Sequence, residues 1–257
     1  MKSEFSGAGD PQRSLELLWG TREAPKRGPR PSLTVSRIGA VAIALADGEG
    51  LAALSMRRVA DELKVSAMSL YTYVPGKAEL LDVMLDCAYS ELAPAQGSGP
   101  GWRAHLEELA RSSLALYVRH PWMLQVATHR PALGPYAMAL YERGLQAVAG
   151  VGLGELEMDL VVTLVADYVR GAARSAVDAA QAQAATGQTD AQWWARYEQA
   201  FQDVFDAARF PLAARVGRAA GEAYQAAHDP QRAFEFGLAR LLDGLDGYIR
   251  TRTSSVV

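Results

Sequence analysis

The segment LAALSMRRVADELKVSAMSLYTYVPGKAEL, residues 51–80, constrains the fold more than any other part of the chain. Two short helical periodicities are separated by only Lys64 and Val65, so the chain must turn back on itself within two residues. Ser55 stands where it can cap the first helix, Met56–Leu63, in which Val59, Ala60 and Leu63 recur at helical spacing. Ser66 can cap the second, which runs to about Val74 with Leu70 and Tyr73 on its inner side. Ala60 is small where the helices would cross, and Val65 drops an apolar side chain into the angle between them. Ala67, Met68, Ser69, Tyr71 and Thr72 are left on the outer side, with no acid among them. Helical hairpins of this kind also occur as ordinary core packing. A short helix with a small, uncharged outer face beside arginines equally suits the major groove of DNA.

Three neighbouring features favour the groove. Arg57 and Arg58 begin the first helix, within reach of phosphates. Pro75 and Gly76 break the second helix, and Lys77 follows at the positive N-terminus of the next one. A basic arm, KRGPRP, precedes the whole at residues 26–31. Charge is distributed accordingly. Residues 22–77 carry nine Lys or Arg against five Asp or Glu, so on a whole-chain charge of −3 the remainder carries −7. A basic head on an acidic body attracts phosphate without smearing the whole molecule onto it.

The stretch SMRRVADELKVSAMSLYTYVPGKAELLDVM resembles the DNA-binding head of the tetracycline-repressor (TetR) family of bacterial transcription regulators, over about residues 33–92. HPWMLQVATHRPALGP (120–135) and FEFGLARLLDGLDGYI (234–249) are similar to the ligand-binding body of one branch of that family. Lys64 is a departure, because the family usually has glycine in the turn; a lysine held left-handed there costs about 1 kcal/mol.

The resemblance implies that Ala67, Met68 and Ser69 face base edges, that Met56 and Arg57 reach the groove edge, and that Tyr71, Tyr73 and Lys77 hold phosphates. Arg58 and Thr72 complete the expected DNA surface. Tyr73 has a second reading, as a hinge residue packed on the next helix. Lys26, Arg27 and Arg30 either enter the minor groove, as basic arms do elsewhere, or are simply solvated.

Alanine is abundant and β-branched runs are scarce, which favours helix throughout; no strand alternation is visible. The fold expected is all-α: a three-helix head at 33–76, a linking helix at 77–92, and a helical ligand-binding and dimerisation body at 93–257. Residues 1–32 read as a flexible arm, in which Leu15–Trp19 is a short amphipathic piece suited to docking. The body should contain helices at 102–119, near 121–127, at 135–149, 155–185, 190–208, 212–227 and 230–250.

No catalytic grouping is evident. His105, His120, His129 and His228 lack metal-ligand spacing, and no phosphate-cradling or nucleophile motif occurs, so neither a metal nor a cofactor is expected. One cysteine, Cys87, excludes an intramolecular disulfide and fits a reducing cytoplasm. No apolar run approaches the roughly 18 residues of a membrane helix.

The body is rich in aromatics. Trp122, Tyr136, Tyr168, Arg174 and Trp194 are the candidates for a small-molecule pocket. Phe236, Leu238, Leu241, Leu242, Leu245 and Tyr248 form an apolar surface on the last helix, wide enough for a homodimer interface alongside the long 155–185 helix. The function these features support is a dimeric repressor of a palindromic duplex operator, released by a small molecule. Two other classes stay open: a dimeric DNA-binding protein without a ligand, and a helical enzyme or carrier with a vestigial head.

Overall fold

The computed structural model describes residues 4–21, 33–92 and 101–254. Among these the protein is all-α, with eleven α-helices and one two-stranded parallel ribbon. The chain divides into two compact units, Met1–Arg170 with Asp246–Val257, and Gly171–Leu245.

Side-chain caps set the helix starts of the head. The Thr34 hydroxyl accepts from the Arg37 N–H and opens α2 (Val35–Glu49). Ser55 does the same for α3 (Met56–Leu63), and Ser66 for α4 (Ala67–Tyr73). Lys64 ends α3 in the left-handed region at φ 58°, the strained conformation expected of that turn. Gly76 then precedes α5 (Lys77–Tyr89).

These helices close around one core with part of the body. Ile38 and Ala42 of α2, Val59 of α3, Leu70 of α4, and Leu80 and Met84 of α5 are buried together with Leu116, Trp122 and Met123. Each such large side chain contributes about 1.5–3 kcal/mol on burial. Head and linking helix therefore do not have separate cores. Gly39 sets the α2–α5 distance: a Cβ there would lie 3.0 Å from Val83 Cγ1 and 3.2 Å from Cys87 Sγ.

Three further helices belong to this unit, α1 (Pro11–Trp19), α6 (Trp102–Arg119) and α7 (Pro135–Val148). Gly144 of α7 sits against the first half of α8 (Glu155–Thr186), where a Cβ would come within 2.9 Å of Val162.

The N-terminal reading needs correction. Residues 4–21 are not a loose arm. Glu4–Phe5 forms β1, paired in parallel with β2 (Val126–Ala127), and α1 packs on α5 with Ser14 and Leu17 buried. The composition is polar, but its hydrogen-bonding groups meet buried carboxylates of α5, Glu79 and Asp82, which no local pattern reveals. The same pairing adds a strand that the sequence did not suggest. The segment near 121–127 is a 3₁₀ turn, Pro121–Gln125, running into β2. Lys26, Arg27 and Arg30 lie outside the described residues.

In the second unit, Thr189 opens α9 (Asp190–Gln202) with a reciprocal capping box on Gln192. α9 ends six residues before the expected Ala208. α10 (Pro211–Tyr224) packs through Gly221, where a Cβ would fall 2.6 Å from the Trp194 ring. The last helix is α11 (Pro230–Ser254).

Candidate nucleic-acid interface and effector cavity

The outer face of α4 is an open, uncharged ridge. Met68 is 76% exposed and Tyr71 46%, and Ser69 and Thr72 are exposed beside them. Ser66 Oγ lies 2.8 Å from Ser69 Oγ and accepts the Ser69 N–H at 3.1 Å, so capping orients the first turn. Thr72 turns its hydroxyl back onto the Ser69 carbonyl at 2.6 Å. Ala67 and Tyr73 are half-buried and pack against the core.

The flanking cations differ. Arg57 is exposed. Arg58 is exposed too, but its guanidinium donates to Glu49 at 2.8 Å, a contact that raises its pKa. Lys77 is half-buried and its Nζ donates to Glu4 Oε1 at 2.8 Å. Met56 does not face outward: it is 7% exposed and belongs to the core, because the α3 turn that presents Arg57 points its neighbour inward.

The first unit also holds a partly open cavity of about 260 Å³ between α5, α6, α7, α8 and the loop after β2. Its walls are largely aliphatic: Leu85 and Leu92 from the α5 end, Leu106 and Leu109 from α6, Val162 and Val165 from α8. Its polar tips are Tyr89, Ser113, Tyr117, Thr128, Tyr141, Asp167 and Arg170. Burial, and then the neighbouring Tyr117, push the Tyr89 hydroxyl pKa far up, so that phenol stays neutral. Tyr141 donates to Asp159 at 2.7 Å. Arg170 donates to the Val126 carbonyl at 2.6 Å, and its guanidinium lies 5.9 Å from the Tyr117 ring centre. The cavity wall is thereby tied to β2.

None of the five residues expected to bind a ligand is among those lining this cavity. Trp122 is core, 1% exposed, and its indole N–H donates to Asp47 at 2.9 Å. That carboxylate also meets His120 Nδ1 at 2.8 Å, while His120 Nε2 lies 3.0 Å from Glu91. Tyr136 is 49% exposed at the start of α7. Tyr168 is half-buried on α8. Arg174 is exposed one helical turn beyond Arg170, the arginine that does reach the cavity. Trp194 packs on Gly221 in the other unit. The tyrosines missed, Tyr89, Tyr117 and Tyr141, lie 24 to 28 residues apart in sequence and share only helical spacing with the rest of their helices.

The apolar surface of α11 also resolves differently. Leu238, Leu242 and Leu245 are buried within the chain and cannot face a partner. Leu241 is half-buried, and Phe236 and Tyr248 remain exposed. On α8, Leu156, Leu160 and Leu164 form an exposed stripe at i, i+4, i+8. Glu157 accepts from the Tyr248 hydroxyl and pairs with Arg252 at 2.7 Å, joining the two helix ends. No described helix is long and apolar enough to cross a membrane, and no described His, Cys, Asp or Glu cluster has metal-binding geometry.

Comparison with known proteins gives consistent results. A family model described as bacterial regulatory proteins, tetR family, matches residues 38–84, and one described as tetracyclin repressor-like, C-terminal domain, matches 93–249. The chain is 46% identical over 252 residues to the HTH-type transcriptional repressor DrrR1 of Streptomyces coeruleorubidus, covering 97% of this chain and 91% of that one. Among solved structures it is similar to the Streptomyces coelicolor TetR family protein ActR in complex with (S)-DNPA, with TM-score 0.69, 28% identity, and 84% of this chain and 98% of that one covered. The ActR complex with actinorhodin gives TM-score 0.69 at 30% identity, covering 83% and 95%.

Proposed function

We propose that this chain, which belongs to the TetR family of bacterial regulatory proteins, is a ligand-responsive repressor that reads duplex DNA with the outer face of α4 and senses a small molecule in the α5–α8 cavity. One observation carries the reading. A single helix, α5, begins at Lys77 beside the recognition helix and lines the cavity with Leu85 and Tyr89 at its other end. A ligand that favours one tilt of α5 changes where the two heads of a dimer sit on DNA. It releases DNA only to the extent of its differential affinity for the two states.

Met68, Ser69 and the Ala67 methyl are assigned to base edges, and Arg57, Arg58, Tyr71, Thr72 and Lys77 to phosphates and the groove edge. One recognition helix reads too few base pairs for useful specificity, so we assign a two-fold dimer with half-sites about one helical turn apart. Leu156, Leu160 and Leu164, with Tyr248, supply its apolar contact. The protein acts in the cytoplasm, where Cys87 stays a thiol.

The test is selection of bound fragments from a random duplex library, paired with light scattering. The expected result is an enriched palindrome with half-sites 10–11 base pairs apart, roughly one turn, bound by a dimer. Selection of no sequence, or of an unrepeated one bound by a single protomer, would overturn the reading.

A further inference from the structure

The segment at residues 4–19 lies outside both regions that carry the family's signatures, yet it is tied to both functional ends of the first unit. On the cavity side, Glu4 and Phe5 pair with Val126 and Ala127. The Ser6 N–H donates to the Ala127 carbonyl at 3.1 Å, and its hydroxyl donates to the carbonyl of Arg130. The Trp19 indole N–H donates to the Leu133 carbonyl at 2.8 Å. The loop gripped at these points supplies Thr128, Pro131 and Ala132 to the cavity wall.

On the DNA side the same segment holds the first turns of α5. The Gly7 N–H donates to Asp82 at 2.9 Å, the Asp10 N–H to Glu79 at 3.2 Å, and the Ser14 hydroxyl reaches Asp82 at 3.4 Å. Asp82 is 1% exposed and Glu79 8%, and this segment supplies hydrogen-bond donors to both buried carboxylates. Burial raises the Asp82 pKa, and the Gly7 and Ser14 bonds oppose that rise. Lys77 itself is held by Glu4, the residue that also begins the ribbon on the cavity loop.

We propose that residues 4–19 form a strap coupling the cavity wall to the DNA-contacting end of α5, with Glu4 as the positioning residue that competes with DNA phosphate for Lys77. The strap rests on the DNA-binding reading above. Its logic is linkage: whatever moves the loop after β2 moves Glu4, and a phosphate that draws Lys77 away loosens β1 in return.

The experiment measures binding of the full chain to a 30-base-pair duplex of random sequence by fluorescence anisotropy across a salt series. Four proteins are compared: the parent, Glu4→Gln, Lys77→Ala and the double variant. Lys77→Ala should flatten the salt slope by about one unit. Glu4→Gln should tighten binding about threefold, the scale of one partly exposed ion pair, and this gain should vanish in the Lys77→Ala background. Hydrogen exchange of the Ser6 amide should accelerate when the parent binds the duplex, and should not when Lys77→Ala binds it. An unchanged slope for Lys77→Ala would remove the phosphate role and with it the reading beneath. A normal Lys77→Ala effect would leave that reading standing. In that case an equal Glu4→Gln gain in both backgrounds, or a Ser6 amide indifferent to DNA, would overturn the strap alone.

Discussion

The tip of the head and the cavity are both built from α-helices, but they present opposite surfaces. α4 presents a convex ridge made by Met68, Ser69, Tyr71 and Thr72, and its inner side is anchored by the fully buried Leu70. The cavity is concave, and its walls come from four helices and a loop spread over residues 85–170. A ridge needs one helix with a firm back. A cavity needs several helices that fail to fill the space between them. Damage on the hidden side of α4 should therefore spread, whereas damage on its exposed side stays local. In the cavity, added bulk should be tolerated by the fold and felt only by the ligand.

The largest effect expected is on the inner side of α4. Leu70→Ala should lower unfolding free energy by about 3 kcal/mol, read from urea midpoints, because the site cannot collapse around the loss. Met68→Ala, two residues away, should leave stability within about 0.5 kcal/mol and alter the sequences enriched from a random library. Equal destabilisation by the two would erase the distinction between ridge and anchor.

Next comes the cavity rim. Asp86 is 4% exposed and accepts the Tyr136 and Ala137 N–H groups at 3.0 and 2.9 Å, capping α7 from α5. A Cβ on Gly134 would run into that carboxylate. Gly134→Ala should cost about 1–3 kcal/mol by disturbing a buried hydrogen-bonded group, visible as a lower melting temperature. Unchanged melting would show that the rim gives way easily.

Filling should be gentler. Ala110 is 1% exposed and lines the cavity. Ala110→Leu directs its added atoms into open volume, so stability should move by less than about 1 kcal/mol. DNA binding should survive, while any compound that raises the parent's melting temperature should lose that effect. A variant that still responds fully would place the ligand elsewhere.

The smallest effect is electrostatic. The Tyr248 hydroxyl, then the Gly154 N–H and Arg252, hold the Glu157 carboxyl down to about 2 from an ordinary 4.5. A depressed acid contributes stability that is full above the ordinary value and fades as pH falls toward the depressed one. The parent should accordingly lose stability between pH 4.5 and about 2. Glu157→Gln should show a shallower dependence in that window. Identical pH profiles would mean that the α8–α11 clasp adds nothing.

The helical hairpin was legible because its residues are neighbours in sequence. Ser55, Ser66, the Lys64 turn and the spacing of Val59, Ala60, Leu63 and Leu70 are local signals, and each reappears as a cap, a left-handed residue or a buried side chain. Met56 was misplaced because a helix start gives little angular information: one residue's rotation separates a core methionine from an exposed arginine. The cavity was illegible for the opposite reason. Arg170 and Arg174 occupy equivalent positions on one helical stripe, and only the packing of α6 and the β2 loop selects Arg170. Leu238, Leu242 and Leu245 looked like partner surface because periodicity shows that a face is apolar without showing what covers it.

The amino-acid order by itself determined most of the helices, the hairpin that presents the outer face of α4, and the basic head on an acidic remainder, since these follow from caps, periodicity and charge within a few turns of chain. Tertiary structure alone decided which arginine reaches the cavity, that Lys77 is held by Glu4, and that residues 4–19 are strapped to α5. Those pairings join residues 44 to 75 positions apart. Partners at such separations are selected by the closure of the whole core, and no short stretch of sequence records them.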